Sequence, residues 1–106
     1  MKALLENEVV SLYSQEKEVS EFDKLMAQVV DADATMKNKI ETYIVESGMR
    51  FVPELIAHMQ NNRGVSRGIC AMSLIRIGSS CVGMIKEAAR TNKDFAWAAN
   101  YILNEI

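Results

Sequence analysis

Apolar residues recur along this chain at intervals of three and four, which is the spacing of one face of an α-helix. Cys70, Leu74 and Ile77 follow this rule in the middle of the sequence. The apolar positions of the last segment follow it too: Ala99, Ile102, Leu103 and Ile106. Alternation with a period of two, which would indicate strands, is absent. The pattern predicts seven helices at about 2–14, 21–31, 35–47, 52–61, 65–77, 80–91 and 94–106.

Capping residues stand at the predicted helix starts. Ser20 precedes a helix and has Asp23 three residues on, a variant of the capping box. Pro53 suits the first turn of a helix, where its missing N–H costs nothing. Residues 79–80, both Ser, are predicted to cap the next helix, and Asp94 the last one.

The sequence also repeats with a period of about 30 residues. The run that starts at Val52 recurs from Cys81, and an earlier copy starts at Phe22. Gly48 and Gly78 keep the same spacing and each follows an apolar periodic segment, where a left-handed residue is expected to end the helix. The repeats are therefore predicted at 21–48, 51–78 and 80–106, with residues 1–20 as an N-terminal capping helix.

The run V-P-E-L-I…V-S-R-G-I-C-A-M-S-L-I-R-I-G at 52–78 resembles a HEAT-like repeat of the short, roughly 30-residue type. The matching positions lie in both helices of the repeat: Pro53, Leu55, Arg67, Cys70, Leu74, Ile77 and Gly78. The resemblance covers about 21–106. It implies an all-α, right-handed α-solenoid of about three helical hairpins plus the capping helix, in a single domain spanning 1–106. Stacked hairpins share a continuous core, and about three are needed for stability.

Composition and charge exclude several classes of protein. The chain has 106 residues, of which 49% are hydrophobic and 25% charged, as in ordinary globular domains. No stretch approaches the roughly 20 apolar residues that span a bilayer, and Glu6 and Glu8 interrupt any signal peptide. We therefore expect a cytoplasmic protein with no membrane partner. The net charge of −2 makes nucleic-acid binding unlikely.

We find no constellation of residues typical of an active site. His58 is the only histidine, and its sequence context predicts a surface or boundary position. The separation between Cys70 and Cys81 matches no metal-ligand spacing, so both are expected to be small core residues. We therefore predict a non-enzymatic protein without a metal or cofactor.

The best candidate site is the concave face. In HEAT-like arrays the second helix of each hairpin lines this face, so we predict partner binding there through four residues: Met72, Ile75, Trp97 and Tyr101. Trp97 and Tyr101 are i,i+4 neighbours and should form one aromatic patch, unless both fold over the last core layer. The segment 94–106 is apolar nearly all round, which favours contact with another protein or peptide, or a homodimer.

Two alternative functions stay open. Residues 1–48 carry a net charge of −5 and residues 49–106 carry +3. Arg63 and Arg90 lie near turns between paired helices, so they form either a site for phosphate, nucleic acid or an acidic peptide, or a solvated edge. The family resemblance adds a role as an accessory subunit of an enzyme, such as a bilin lyase-like system.

Overall fold

The computed structural model describes residues 19–106, so the predicted helix 2–14 lies outside the described residues. The described part is all-helical, without strands, as predicted. It contains six α-helices: α1 (Glu21–Asp31), α2 (Ala34–Glu46), α3 (Val52–Asn61), α4 (Val65–Ile77), α5 (Val82–Thr91) and α6 (Lys93–Glu105). Two 3-10 turns, Gly48–Phe51 and Gly78–Cys81, precede α3 and α5.

The helix starts test the predicted caps. The Asp23 N–H donates to Ser20 Oγ at 3.1 Å, so the predicted cap of α1 is confirmed. The predicted cap of the last helix is wrong. Asn92 is the N-cap, its Oδ1 accepts from the Asp94 N–H at 3.1 Å, and Asp94 lies inside the first turn of α6. The reason is the connection from α5, which ends at Thr91 and leaves only Asn92 before α6 begins.

Gly48 and Gly78 begin the 3-10 turns that follow α2 and α4. Their φ angles are +65° and +82°, a region that residues with a Cβ rarely adopt, so the predicted left-handed helix ends are confirmed. Each glycine opens a 3-10 turn that sequence reasoning missed. The second turn contains Ser79 and Ser80, so neither caps α5 as predicted, and the N-cap of α5 is Cys81.

The two 3-10 turns also correct the alignment of the repeats. Phe51 and Cys81 end the turns with φ of −99° and −101°, and both side chains are buried. Val52 and Val82 then begin helices of 10 residues each, so these two valines occupy equivalent places. The sequence comparison instead aligned Val52 with Cys81. It was wrong by a single position because apolar side chains stand at both places.

The core lies between helices that follow one another in the chain. Contacts join α1 to α2, α3 to α4, and α5 to α6. Contacts also join α2 to α4, α4 to α6, and α3 to α5, so α4 lies in the centre of the described part. The largest fully buried apolar side chains come from all six helices and both turns: Val29, Ile44, Phe51, Val52, Leu55, Cys70, Leu74, Cys81, Ile85, Phe95 and Ile102.

Most predicted core positions are confirmed, with one exception. Cys70 and Leu74 are fully buried, and Ile77 and Leu103 pack partly buried against the core. Ile106 is 42% exposed, so its predicted core position is wrong. It lies beyond Glu105, the last residue of α6, where the helical spacing that produced the prediction no longer applies.

One helical segment bears on the expectation that no stretch of the chain is apolar enough to span a bilayer. Val65–Thr91 is long and apolar enough, by length and composition alone, to cross a membrane. In the structure this run is divided into α4 and α5 by the 3-10 turn that Gly78 opens with its positive φ. A continuous spanning helix would require Gly78 to return to helical backbone angles.

Candidate binding groove between α4 and α6

An apolar groove of about 370 Å³ lies between α4 and α6. Small residues at helical spacing form its α4 side, and aromatic residues form its α6 side. The lining residues are Met59, Gly64, Arg67, Gly68, Ala71, Trp97, Ala98 and Tyr101. A Cβ built on Gly64 or Gly68 meets no atom within 4 Å, so the space beside these glycines is open. We call this feature the α4–α6 groove.

The aromatic side of the groove is unusually open to solvent. Trp97 is 73% exposed and Tyr101 is 53% exposed, although both stand one turn apart on the same helix. Their neighbours Ala98 and Ala99 are buried and hold α6 against the core. The alternative that both aromatic side chains fold over the last core layer is therefore wrong. The core side of α6 is already filled by Phe95, the alanines and Ile102.

A polar cavity of about 220 Å³ adjoins the α4–α6 groove. Arg67 and Met59 line both spaces. The polar residues of the cavity come from the end of α3, the α3–α4 connection, α4 and the start of α6: Gln60, Asn61, Asn62, Arg63, Arg67, Asn92 and Asp94. We call it the Arg67 cavity. Arg67 thus borders both an apolar aromatic surface and a cationic polar surface.

The groove includes two of the four predicted partner-binding residues. Trp97 and Tyr101 line it together. Met72 is 44% exposed on α4 but does not line the groove. Ile75 is partly buried and packs against the core. The structure therefore divides the predicted set between the groove, the neighbouring α4 surface and the core margin.

The two arginines predicted for anion contact have different surroundings. Arg63 lines the Arg67 cavity. Arg90 lies on α5, where its Nε donates to Glu87 Oε1 at 3.1 Å and a second nitrogen donates to Glu87 Oε2 at 2.5 Å. That carboxylate is one turn away on the same helix and raises the pKa of Arg90. Arg90 is not among the residues that line the cavity.

His58 lies at the boundary of the core, as predicted, and its ring nitrogens have polar neighbours. Nε2 is 2.8 Å from Ser66 Oγ, and Asn62 Nδ2 lies 3.2 Å from Nδ1. Because an amide N–H₂ only donates, Nδ1 accepts and Nε2 carries the proton that it donates to Ser66. The ring also meets the edge of Phe22 at 5.8 Å between centroids. Burial lowers the pKa of His58, against a smaller raising effect from Asp23.

Both cysteines are buried core residues, as predicted. Burial raises the pKa of Cys70 to about 12, and it also raises the pKa of Cys81. The Cys81 thiol donates to the carbonyl oxygens of Gly78 at 3.2 Å and Leu74 at 3.4 Å. Thiols in this state are weak nucleophiles, because the thiolate is the reactive form. Within residues 19–106, no three His, Cys, Asp or Glu side chains are placed to hold a metal ion.

Gly68 and Ala71 lie on the face of α4 that the register of the repeats predicts for the groove, whereas sequence reasoning missed Gly64 and Arg67. Gly68 and Ala71 lie one turn apart on one face of α4, and Gly64 is the residue that caps the start of this helix. The small residues of this segment, which lie opposite the aromatic pair of α6, were the sequence signal for a groove. Arg67 was assigned to the repeat pattern rather than to a site, and nothing in its local sequence indicates that it borders two spaces.

Comparison of the chain with protein-family models, characterised proteins and solved structures finds no match.

Proposed function

We propose that this chain is a non-enzymatic interaction module that binds a peptide segment of another protein in the α4–α6 groove. The observation that carries the proposal is the exposure of Trp97 and Tyr101 along one wall of an apolar groove, at 73% and 53%. Trp and Tyr are enriched among the residues that dominate binding energy at protein interfaces. Each carries a large apolar surface whose removal from water favours association.

The proposed architecture is a short right-handed solenoid of HEAT-like hairpins. The order of the helix contacts supports it, because α2, α4 and α6 contact one another in sequence and so do α3 and α5. The matching backbone angles at Phe51 and Cys81, which end the two 3-10 turns, support it as well, because α3 and α5 then begin in the same way. A stack of this kind leaves the surface of its second helices free for a ligand.

The shape of the groove favours an extended or helical peptide with at least one large apolar side chain. Gly68 leaves room for a side chain to approach the backbone of α4, while Trp97 and Tyr101 cover it from the α6 side. The volume of about 370 Å³ lies within the range of binding clefts for small ligands. A single aromatic or aliphatic anchor therefore fits this space.

Binding without catalysis agrees with the state of the reactive side chains. The two cysteines are buried with raised pKa values, and His58 is engaged by Ser66 and Asn62. The cysteines and His58 therefore have structural roles. The groove itself is lined by aromatic and apolar residues and one guanidinium group.

The test is a peptide selection that depends on the groove. A displayed library of short random peptides is selected on the full chain and counter-selected on the double variant Trp97→Ala, Tyr101→Ala. Affinities of the enriched synthetic peptides are then measured by the fluorescence of Trp97, the only tryptophan, and by calorimetry. We expect micromolar binding that falls at least about tenfold in Tyr101→Ala, as for a moderate interface anchor. Met84→Ala is the control, since Met84 lines a separate apolar recess between α3 and α5.

Two results would overturn the proposal. One is that no peptide survives the counter-selection, because every peptide that binds the chain also binds the double variant. The other is a dimer, seen by light scattering across a concentration series, that dissociates in the double variant. The occupant of the groove would then be a second copy of this chain rather than another protein.

A further inference from the structure

Among the described residues, the lining of the Arg67 cavity carries more positive than negative charge. Ion pairs in residues 19–106 join Glu21 to Arg50, Glu41 to Arg76 and Glu87 to Arg90, which leaves Arg63 and Arg67 outside them. Asp94 also lines the cavity. Two guanidinium groups and one carboxylate give the lining a net charge of +1.

Arg67 carries a polar atom that lacks a partner. Its Nε is buried and makes no hydrogen bond within the described part of the chain. A buried donor without an acceptor costs free energy, and the cost is greater for a charged group. The buried Nε itself is closed to solvent, so an anion in the cavity would meet the rest of the planar guanidinium, which suits carboxylate and phosphate oxygens.

The remaining polar lining suits an anion as well. Asn61, Asn62, Gln60 and Asn92 contribute amide groups whose N–H₂ ends are donors. Of these, Asn61 and Asn62 already donate to the carbonyl oxygens of Ala57 and His58. The α6 N-terminus lies at the same place and carries a partial positive charge. A volume of about 220 Å³ is enough for a carboxylate or phosphate group with water.

We propose that the Arg67 cavity binds the carboxylate or phosphate group of the ligand whose apolar side chain occupies the α4–α6 groove. This inference rests on the proposed function, because Arg67 borders both spaces and thereby sets the apolar and anionic groups side by side. The ligand class is a peptide segment with a large apolar residue next to an acidic or phosphorylated residue. Arg63 and Arg67 hold the anion, whereas Asp94 opposes it.

Two dyes separate the groove from the cavity. N-phenyl-1-naphthylamine is uncharged, and 1-anilinonaphthalene-8-sulfonate adds one sulfonate to the same aromatic body. We expect the sulfonate dye to bind the full chain at least about tenfold more tightly, the advantage of a charge-assisted hydrogen bond. Added salt should reduce that advantage, because screening weakens the attraction between charges.

Matched charge variants locate the anion contact. Arg67→Gln and Arg63→Gln should each remove most of the advantage of the sulfonate dye and leave the uncharged dye unchanged. Arg90→Gln removes the same charge outside the cavity and should change neither affinity. Asp94→Asn should tighten the sulfonate dye by removing the opposing charge. Circular dichroism checks the fold, and Arg63→Gln at an exposed position stands in if Arg67→Gln fails to fold.

Displacement then identifies the source of the anion. Phenylacetate and phenyl phosphate carry a carboxylate and a phosphate on one ring, and benzyl alcohol carries neither. We expect at least one of the two anions to displace the sulfonate dye at concentrations at which benzyl alcohol does not. A carboxylate preference indicates acidic residues, and a phosphate preference indicates phosphorylated ones.

The outcomes distinguish the two proposals. If both dyes bind equally and the arginine variants change neither, the anion site is refuted and the groove stands. If all three compounds displace the dye equally, the anion site is refuted as well. If neither dye binds, or Trp97→Ala leaves both affinities unchanged, the groove fails and the anion site fails with it.

Discussion

Arg76 on α4 forms an ion pair with Glu41 on α2, with 2.9 Å between Nη1 and Oε2. The same nitrogen donates to Thr42 Oγ1 at 3.3 Å. The two charged residues lie 35 positions apart in the chain, in helices that contact each other along the core. This pair links two second helices of the proposed stack on the surface that flanks their buried seam.

The Arg76–Glu41 pair should contribute modestly to stability. The side chains are 38% and 17% exposed, so water screens much of their attraction. We expect Glu41→Gln and Arg76→Gln to lower the free energy of unfolding by less than about 1 kcal/mol each. A double-mutant cycle in urea should give a coupling that decreases at about 1 M salt. A coupling that salt does not change would contradict an electrostatic role.

Substitution of Gly78 should destabilise the turn after α4. Its φ of +82° is strained for any residue with a Cβ, although a Cβ would meet no atom within 4 Å. We expect Gly78→Ala to cost about 1 kcal/mol in chemical unfolding. Gly83→Ala is the control, because Gly83 lies inside α5 with equally open space and should gain up to about 1 kcal/mol of helix propensity. Equal effects of both substitutions would show that φ is not the cause.

Ser73 is fully buried on α4, and its hydroxyl makes no hydrogen bond in the described part of the chain. An unsatisfied buried hydroxyl loses its bonds to water without replacement, so Ser73→Ala should stabilise the protein by about 1 kcal/mol. Thermal unfolding of Ser73→Ala beside Ser79→Ala, which alters an exposed serine, measures this gain. Destabilisation by Ser73→Ala would indicate a partner for the hydroxyl, such as an internal water.

Stability should fall at alkaline pH because of Cys70. The thiol has an ordinary pKa of 9.0, and burial raises the pKa in the folded chain to about 12. As pH rises above 9, the unfolded state loses this proton first, so the free energy of unfolding falls until about pH 12. The slope for this group approaches about 1.4 kcal/mol per pH unit. Urea unfolding of the chain and of Cys70→Ala from about pH 8 to about pH 11 measures the contribution of Cys70 to this pH dependence. If the free energies of unfolding of the two proteins change in parallel with pH, the prediction is contradicted.

His58 should titrate below its ordinary pKa of 6.5, because burial disfavours the charged imidazolium. As pH falls through 6.5, the unfolded state takes up the proton first, so stability declines until the folded ring is also protonated. The single histidine allows direct measurement by NMR. Asp23→Asn should lower the pKa further, since Asp23 attracts the charged ring. A pKa at or above 6.5 would show that the ring is solvated.

Local features of this protein were predictable from its sequence. Helix formation depends on contacts between residues three and four apart, so the periodic spacing of apolar residues located six helices within about two residues. The cap at Ser20 and the positive φ at Gly78 are also local, because each depends on the residue and its immediate neighbours. The burial of both cysteines was predictable because free cysteine is among the most buried residue types.

The candidate site depends on the tertiary structure. Gly68 lies on α4 and Trp97 lies on α6. The packing of the helices sets which side of α4 faces which side of α6, and no short-range pattern in the sequence specifies this. Arg67 acquires its place between the groove and the cavity only when α3, α4 and α6 come together. The sequence determined the helices because their spacing is a local property. Only the tertiary structure decided which side chains share a space, because that depends on contacts between residues about 30 positions apart.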